Sequence, residues 1–386
     1  MHVGLVIYGD LEHTSGGFRY DRNLVSHLER RGDTVDVISL PWRRYPRGIL
    51  DSYSRRIRSR LDRDVDVLVQ DGLCHPSLWR HTDRLQGPDS IVGLVHHLRS
   101  DFPGGGYRHL IRPVERRLVR PVERSLVRPV ERRFLESVDG LLCTSEFTAS
   151  RVRTLAPPVS NAPIAVAHPA GRVEGRACSS EEVADRSMDD PFRLVFIGTL
   201  IPRKDPKTLL SALGRFSSIR QDAEWHLTVV GDHETNPSYA SSVVGMARNL
   251  GLEDRVDFTG QIADEGLASI LARSHVCCVP SRYEAFGMAY LEAMEYGVVP
   301  IASSVGGATE FVDNGTNGLL VDPGDDEEIA HHLARLESDR KLLAELGTNA
   351  LETAAEWPTW EETLDDTRTF LERCVDRPTR IGGVTS

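Results

Sequence analysis

Two series of six short apolar runs, interleaved with stretches of helical spacing, constrain this chain more than any other feature. The first is "HVGLVIY", "TVDVISL", "VDVLVQD", "IVGLVHH", "GLLCTS" and "IAVAHP"; the second is "RLVFIGT", "WHLTVVG", "RVDFTG", "VCCVPS", "VVPIASS" and "GLLVDP". Strands that alternate with helices pair in parallel, because the helix supplies the crossover that a parallel neighbour requires. Near-continuous apolar strands suit sheets covered on both faces. The expected fold class is α/β, with two doubly wound, Rossmann-like domains whose parallel sheets face each other across a cleft. In such sheets ligands bind beyond the carboxyl ends of the strands.

A length of 386 residues fits two domains, each burying its own core. Between the two series lies "GRVEGRACSSEEVADRSMDD", residues 171–190, polar and without apolar periodicity, which reads as a linker. The N-terminal domain is then 1–170, the C-terminal domain 191–356, and 357–386 a last helix and tail. In that helix Trp360, Leu364, Thr367 and Leu371 recur at helical spacing.

Composition excludes several classes of function. A formal net charge of −11 argues against nucleic acid as a partner. No apolar run approaches the roughly eighteen residues that a membrane span needs. The opening "MHVGLVIYGD" lacks a basic start and a small-residue cleavage site and reads as a first strand, so a cytoplasmic location is expected. The cysteines at 74, 143, 178, 277, 278 and 374 form no CxxC pair and fall mostly in apolar runs, as small core residues do. "DVD" at 64–66 has the letters of a metal motif, but its alternation fits a half-exposed strand, and no metal site is expected.

The strongest chemical signal is "VCCVPSRYEAFGMAYLEAMEYGVVPIASSVGGATEFV", residues 276–312. A buried strand ends at Ser281, a loop carries Glu284, and a helix opens near Phe286 or Gly287. The N–H groups of Phe286, Gly287 and Met288 are then the unpaired donors of a helix start, suited to an anion. Glu284 and Glu292, eight residues apart, are placed beside that site to accept hydrogen bonds from sugar hydroxyls. In "LVFIGTLIPRKDPKTLLSAL", residues 194–213, a strand ends at Gly198 and the turn presents Arg203 and Lys204, cations able to neutralise a diphosphate. Gly16 and Gly17 lie between the first strand and the first helix, where the missing Cβ lets backbone approach a ligand. His96 ends the strand "IVGLVHH"; alternation sends His97 to the other side.

"EAFGMAYLE", followed by "AMEYGVVPIAS" and "VGGATEFVDNGTNGLLVDPGD", resembles the E-x7-E signature of the retaining GT-B glycosyltransferases of family 4, the glycosyl transferases group 1 domain. The resemblance runs in the expected order along essentially the whole chain. It implies a GT-B fold, an acceptor-side N-terminal domain and a C-terminal domain for a UDP-, GDP- or ADP-sugar, with no metal and no separate cofactor. It assigns Glu284 to the donor sugar, Glu292 to the ribose and Arg203 and Lys204 to the diphosphate. His96 goes to the transferred sugar, Gly16 and Gly17 to the donor phosphates or acceptor, and the turn Gly260, Gln261 and Ile262 to the vicinity of the nucleobase. Many members carry a basic residue directly after the glycine where this chain has Thr199, which leaves more of the charge to Arg203 or Lys204. The last helix is expected to return to the N-terminal domain.

The resemblance further implies front-side transfer: the diphosphate leaves and an acceptor hydroxyl enters on the same face, with the leaving phosphate as base and Glu284, His96 and Lys204 around the reacting centre. The acceptor is a glycan, a small molecule or a lipid-linked compound. A nucleotide-sugar epimerase on the same architecture would need no acceptor, and a non-catalytic sugar-nucleotide sensor or membrane-associated scaffold would bind without turnover.

One more feature stands apart. Residues 112–134, "RPVERRLVRPVERSLVRPVERRF", repeat an octapeptide three times, and residues 108–133 hold nine Arg and three Glu. The apolar positions 110, 114, 118, 122, 126, 130 and 134 recur every four residues, so the stripe drifts by about 40° per step around a straight helix. The segment reads as an insertion in the acceptor-side domain, either a peripheral contact with an anionic membrane or a solvated extension.

Overall fold

A computed structural model describes residues 1–13, 15–101, 126–157, 162–173 and 177–376. All twelve apolar runs form strands. The first six are β1 (His2–Tyr8), β2 (Thr34–Leu40), β3 (Val67–Asp71), β4 (Ser90–Val95), β5 (Gly140–Cys143) and β6 (Ile164–Val166), all parallel, in the order β2-β1-β3-β4-β5-β6. The second six are β7 (Phe192–Ile197), β8 (Trp225–Val230), β9 (Val256–Gly260), β10 (Val276–Val279), β11 (Val299–Ser303) and β12 (Leu319–Val321), also parallel, in the order β12-β11-β10-β7-β8-β9. The α/β class and the doubly wound sheets expected from the sequence are present.

Each order reverses once. The chain runs outward from β1 to β2 and then back past β1 to β3, and it runs from β7 to β9 before returning beside β7 at β10. At such a reversal the connections leave in opposite directions and open a crevice at the carboxyl ends. Residues following β1 and β3, and those following β7 and β10, therefore hold the two privileged positions.

The chain divides into two compact units. One comprises the described residues up to Pro169 together with those from Pro358 onward; the other is Ala170–Trp357. In the first, the helix Gly16–Arg30 lays Phe18, Tyr20, Leu24 and Leu28 over Val3, Leu5 and Ile7, and the helix Trp360–Asp376 adds Leu364, Phe370, Leu371 and Cys374 to the same core. Gly140 is needed under that helix, because a Cβ there would lie 2.8 Å from Cys374 Sγ. Ion pairs border the contact: Arg368 to Asp33 at 2.7 Å and Arg31 to Glu361 at 3.0 Å.

The segment 171–190 differs from its reading as a linker. Ser180–Ser187 is a helix opened by a capping box, in which Ser179 and Glu182 satisfy each other's backbone N–H groups. It buries Val183 and Arg186, and Arg186 donates to the carbonyls of Tyr296 at 2.8 Å and Gly297 at 3.0 Å. Eight residues are too few for apolar periodicity to show, whereas the Ser-x-x-Glu signal was there to be seen.

Of the octapeptide repeat, only the third copy and two residues before it lie within the described residues; the basic segment proposed for membrane contact is otherwise outside them. Residues 126–135 are helical. Val130 and Phe134 are buried while Leu126 is 41% exposed, as the drift of a four-residue stripe requires. Glu131 of this copy is buried and accepts the backbone N–H groups of Arg99 at 2.6 Å and Ser100 at 2.9 Å. No described helix is long and apolar enough to cross a membrane.

Candidate donor and sugar site

The reversal between β7 and β10 gathers the charged residues singled out in the sequence. Beyond β7, Gly198 has φ +152° and donates its N–H to Val230 O at 2.9 Å. A Cβ at Gly198 would stand 3.3 Å from Lys204 Cε, so the glycine leaves a channel in which the lysine stem lies. Beyond β10, the backbone of Glu284 bridges to Gly306, and Gly307 N–H donates to Glu284 O at 3.0 Å. A Cβ on Gly306 would lie 1.9 Å from that carbonyl oxygen, and its φ of +134° also requires glycine.

These turns bring Lys204 Nζ to 2.5 Å from Glu284 Oε2 and Arg203 Nη1 to 3.4 Å from Oε1. Arg203 also donates to Tyr283 O at 3.1 Å, and Ser281 Oγ donates to Glu284 Oε2 at 3.0 Å. Glu284 is 7% exposed. Burial alone would push its carboxyl up, but the charges of Lys204 and Arg203, with hydrogen bonds from Lys204 and Ser281, hold it down at about 2. The three formal charges sum to +1, two half-buried cations around one buried, ionised carboxylate.

Glu292 is 3% exposed, inside the helix Met288–Met294. Arg172 Nε lies 2.8 Å from Glu292 Oε1, an ion pair out of line for a hydrogen bond at that nitrogen, and the same guanidinium pairs with Asp264. Neither glutamate is therefore a solvated helix-end carboxylate. Glu295, in the next turn, is also buried and accepts the N–H groups of Arg172 at 3.0 Å and Val173 at 2.9 Å, which fixes the loop bearing Arg172.

The helix start differs in detail from its sequence reading. Met288 is its first residue and Gly287, at φ +107°, its N-cap. Among the described residues no hydrogen bond engages the N–H of Gly287 or Met288. Phe286 is a core residue, 5.1 Å from the Phe311 ring and 5.8 Å from Trp357.

Three glycines close neighbouring strand ends: Gly198 after β7, Gly231 after β8 and Gly260 at the end of β9. Gly231 N–H donates to Gly260 O at 2.9 Å, and a Cβ on Gly231 would lie 2.1 Å from Gly198 O. A pocket of about 420 Å³ opens there, lined by Leu200, Gly231, His233, Pro237, Phe258 and Gly260. Gln261 is exposed and Ile262 half-buried against the core.

In the N-terminal unit the reversal between β1 and β3 gathers a second group. Gly16 opens its helix exposed; at Gly17 a Cβ would lie 3.3 Å from the His96 ring. His96 Nε2 is 3.0 Å from Asp21 Oδ1, with both residues buried, while His97 is half-buried. Ser281, Arg172, Asp21 and Asp71 are site residues that sequence reasoning missed. Arg172 was hidden in the supposed linker, and Asp21 sits where a helix facing the core should carry an apolar residue. Asp21, Asp71 and His96 form the one His–carboxylate grouping among the described residues tight enough for a cation, and Asp21 engages His96 Nε2.

Residues 181–353 match the glycosyl transferases group 1 family. A D-inositol 3-phosphate glycosyltransferase of Stackebrandtia nassauensis is 34% identical over 184 residues, 46% of this chain and 41% of that protein. The chain spans about half the length of the curated relatives it matches. Among solved structures, sucrose-phosphate synthase from Thermosynechococcus elongatus superposes with a TM-score of 0.76 at 21% identity, covering 97% of this chain and 99% of that one. Anabaena HepE in complex with UDP-glucose gives 0.69 at 16% identity over 97% and 99%. The fold is thus that of GT-B glycosyltransferases, and the matched family region contains Arg203, Lys204, Glu284 and Glu292.

Proposed function

We propose that this chain is a retaining, metal-independent glycosyltransferase that moves a sugar from a nucleoside-diphosphate sugar to a hydroxyl acceptor. The observation that carries the reading is the cluster of half-buried Lys204 and Arg203 on the buried Glu284 at the reversal of the second sheet, within the family-matched region. Its net positive charge suits a leaving diphosphate, and its carboxylate suits sugar hydroxyls. Charged hydrogen bonds to the diphosphate contribute roughly 1.5–3 kcal/mol each, and they strengthen as negative charge develops on the leaving oxygen. Lys204 and Arg203 then stabilise the departing diphosphate, Glu284 orients the sugar, Glu292 takes the ribose after Arg172 yields it, and the glycine-lined pocket by Gly260 receives the base. His96, Gly16 and Gly17 serve the transferred sugar and acceptor. With a front-side course, the leaving phosphate accepts the proton of the incoming hydroxyl.

Thermal unfolding in the presence of UDP, GDP and ADP tests the donor half. A ligand held only by the folded state stabilises it by about 2.7 kcal/mol at a hundred times its Kd. One nucleotide should raise Tm in the parent protein and fail to do so in Lys204→Ala; no shift with any of them removes the reading.

A further inference from the structure

The N-terminal unit holds His96 between two buried carboxylates, Asp21 and Asp71, to which no step above gives a role. His96 follows β4, Asp21 lies on the second turn of Gly16–Arg30, and Asp71 ends β3. Their ligand atoms all lie within 4.8 Å of one another. Asp21 and Asp71 are each 1% exposed and His96 8%. An ionised carboxylate buried this deeply requires a cation or several donors. Although the chain carries 43 arginines, no described arginine or lysine pairs with either aspartate; the imidazole is the one cation on offer. Among the described residues Asp71 has one donor, the N–H of Leu73 at 2.9 Å.

The ring is oriented from several sides. Asp21 takes Nε2, the Tyr20 ring meets it edge-on with centroids 5.5 Å apart, and Gly17 lies against Cδ2. Among the described residues no hydrogen bond engages Nδ1, and His96 keeps 8% of its surface exposed.

We propose that Asp21 is a positioning residue: it commits Nε2–H of His96 to the protein and holds the ring as an imidazolium, turning Nδ1–H outward as a cationic donor to a substrate oxygen. His96 then acts as a fixed hydrogen-bond donor and not as a base, which a neutral Nδ1 would be. The inference rests on the proposed function for placing substrate at Nδ1, but the state of the ring is measurable without it. Burial opposes the charge on His96, but Asp21, by charge and hydrogen bond, and then Asp71, outweigh it and keep the ring above its ordinary value. The titratable groups around the three are Tyr20 beside Asp21 and Cys74 beyond β3; burial pushes both up, so they stay neutral.

The test is 15N NMR of histidine-labelled protein between pH 5 and 9, with kinetics of Asp21→Asn. In the parent protein His96 should show two protonated nitrogens at pH 7, and its titration midpoint should fall by at least one pH unit in Asp21→Asn. That variant should lose at least tenfold in kcat with donor KM within about threefold, and its remaining activity should decline at lower pH than the parent's. A neutral His96 at pH 7 in the unmodified protein overturns the proposal whether or not the variant folds. So does an Asp21→Asn variant with unchanged kcat and midpoint. If His96 is an imidazolium and no nucleotide sugar is turned over, the proposed function fails and the ring assignment stands.

Discussion

Lys204 Nζ stands 2.5 Å from Glu284 Oε2, joining the turn after β7 to the loop after β10 with both side chains nearly sealed from solvent. Removing one partner of a buried pair leaves the other charge uncompensated, at a cost of about 3–5 kcal/mol. Arg203 and Ser281 remain beside Glu284, so the loss in Lys204→Ala should fall at the lower end. Calorimetry should show a clear drop in Tm, and kcat/KM should fall by about 100-fold or more. An unchanged Tm would show that the pair contributes nothing to the fold.

The same pair sets an acid limit. Glu284 is held at about 2, below its ordinary value, so the unfolded state binds its proton first as pH falls. Its contribution to stability is complete above the unfolded pKa, near 4.3, and is lost as pH drops through the folded value. Glu284→Gln should therefore flatten stability against pH between about 4.5 and 2, as read by urea unfolding at each pH. An equal offset across the whole window would contradict this.

Asp71 runs the other way. Burial pushes its carboxyl up to about 7, opposed by His96 and reinforced by Asp21. The folded state thus holds the proton longer than the unfolded state, and stability falls as pH rises from about 4 to 7. Relative to the parent, Asp71→Asn should gain Tm progressively across that window, by about 2–4 °C for each kcal/mol relieved. A constant difference would mean that the carboxyl titrates normally.

Much of the fold was legible, and the reason is physical. A fully buried parallel strand must be apolar along its length, so central runs such as β3, β4 and β10 declared themselves, while the partly exposed edge strands β2 and β9 showed as shorter apolar stretches mixed with polar residues, and glycines such as Gly198 and Gly306 marked turns where backbone approaches backbone. The residues singled out after β7 and β10 meet because the strand order reverses there, a fact of topology that no local pattern encodes. Hence Lys204 and Glu284 were each identified, but not their direct pairing. Arg172 was lost because a short capped helix beside it carries no periodic stripe, and Asp21 because a buried carboxylate on a helix is recognisable only once its histidine is seen.

Two glycine substitutions separate strain from contact. Gly306→Ala places a Cβ 1.9 Å from Glu284 O at a φ that L residues rarely adopt, so it should displace the glutamate loop and abolish transfer. Gly17→Ala meets only the edge of the His96 ring at 3.3 Å, in ordinary helical backbone. Its Tm should stay within about 2 °C of the parent's while kcat falls. Equal loss of stability in both would show that Gly17 is a folding residue only.

The central claim is sugar transfer at the Lys204–Glu284 cluster. The most direct measurement incubates the protein with UDP-, GDP- and ADP-sugars, with and without a panel of hydroxyl acceptors, and follows nucleoside diphosphate and the new anomeric proton by NMR. The account predicts that one donor releases its diphosphate only with acceptor, that the product keeps the donor's anomeric configuration, and that Glu284→Ala loses at least 100-fold in rate. Release of nucleotide at the same rate without acceptor, an inverted product, or full activity in Glu284→Ala would contradict it.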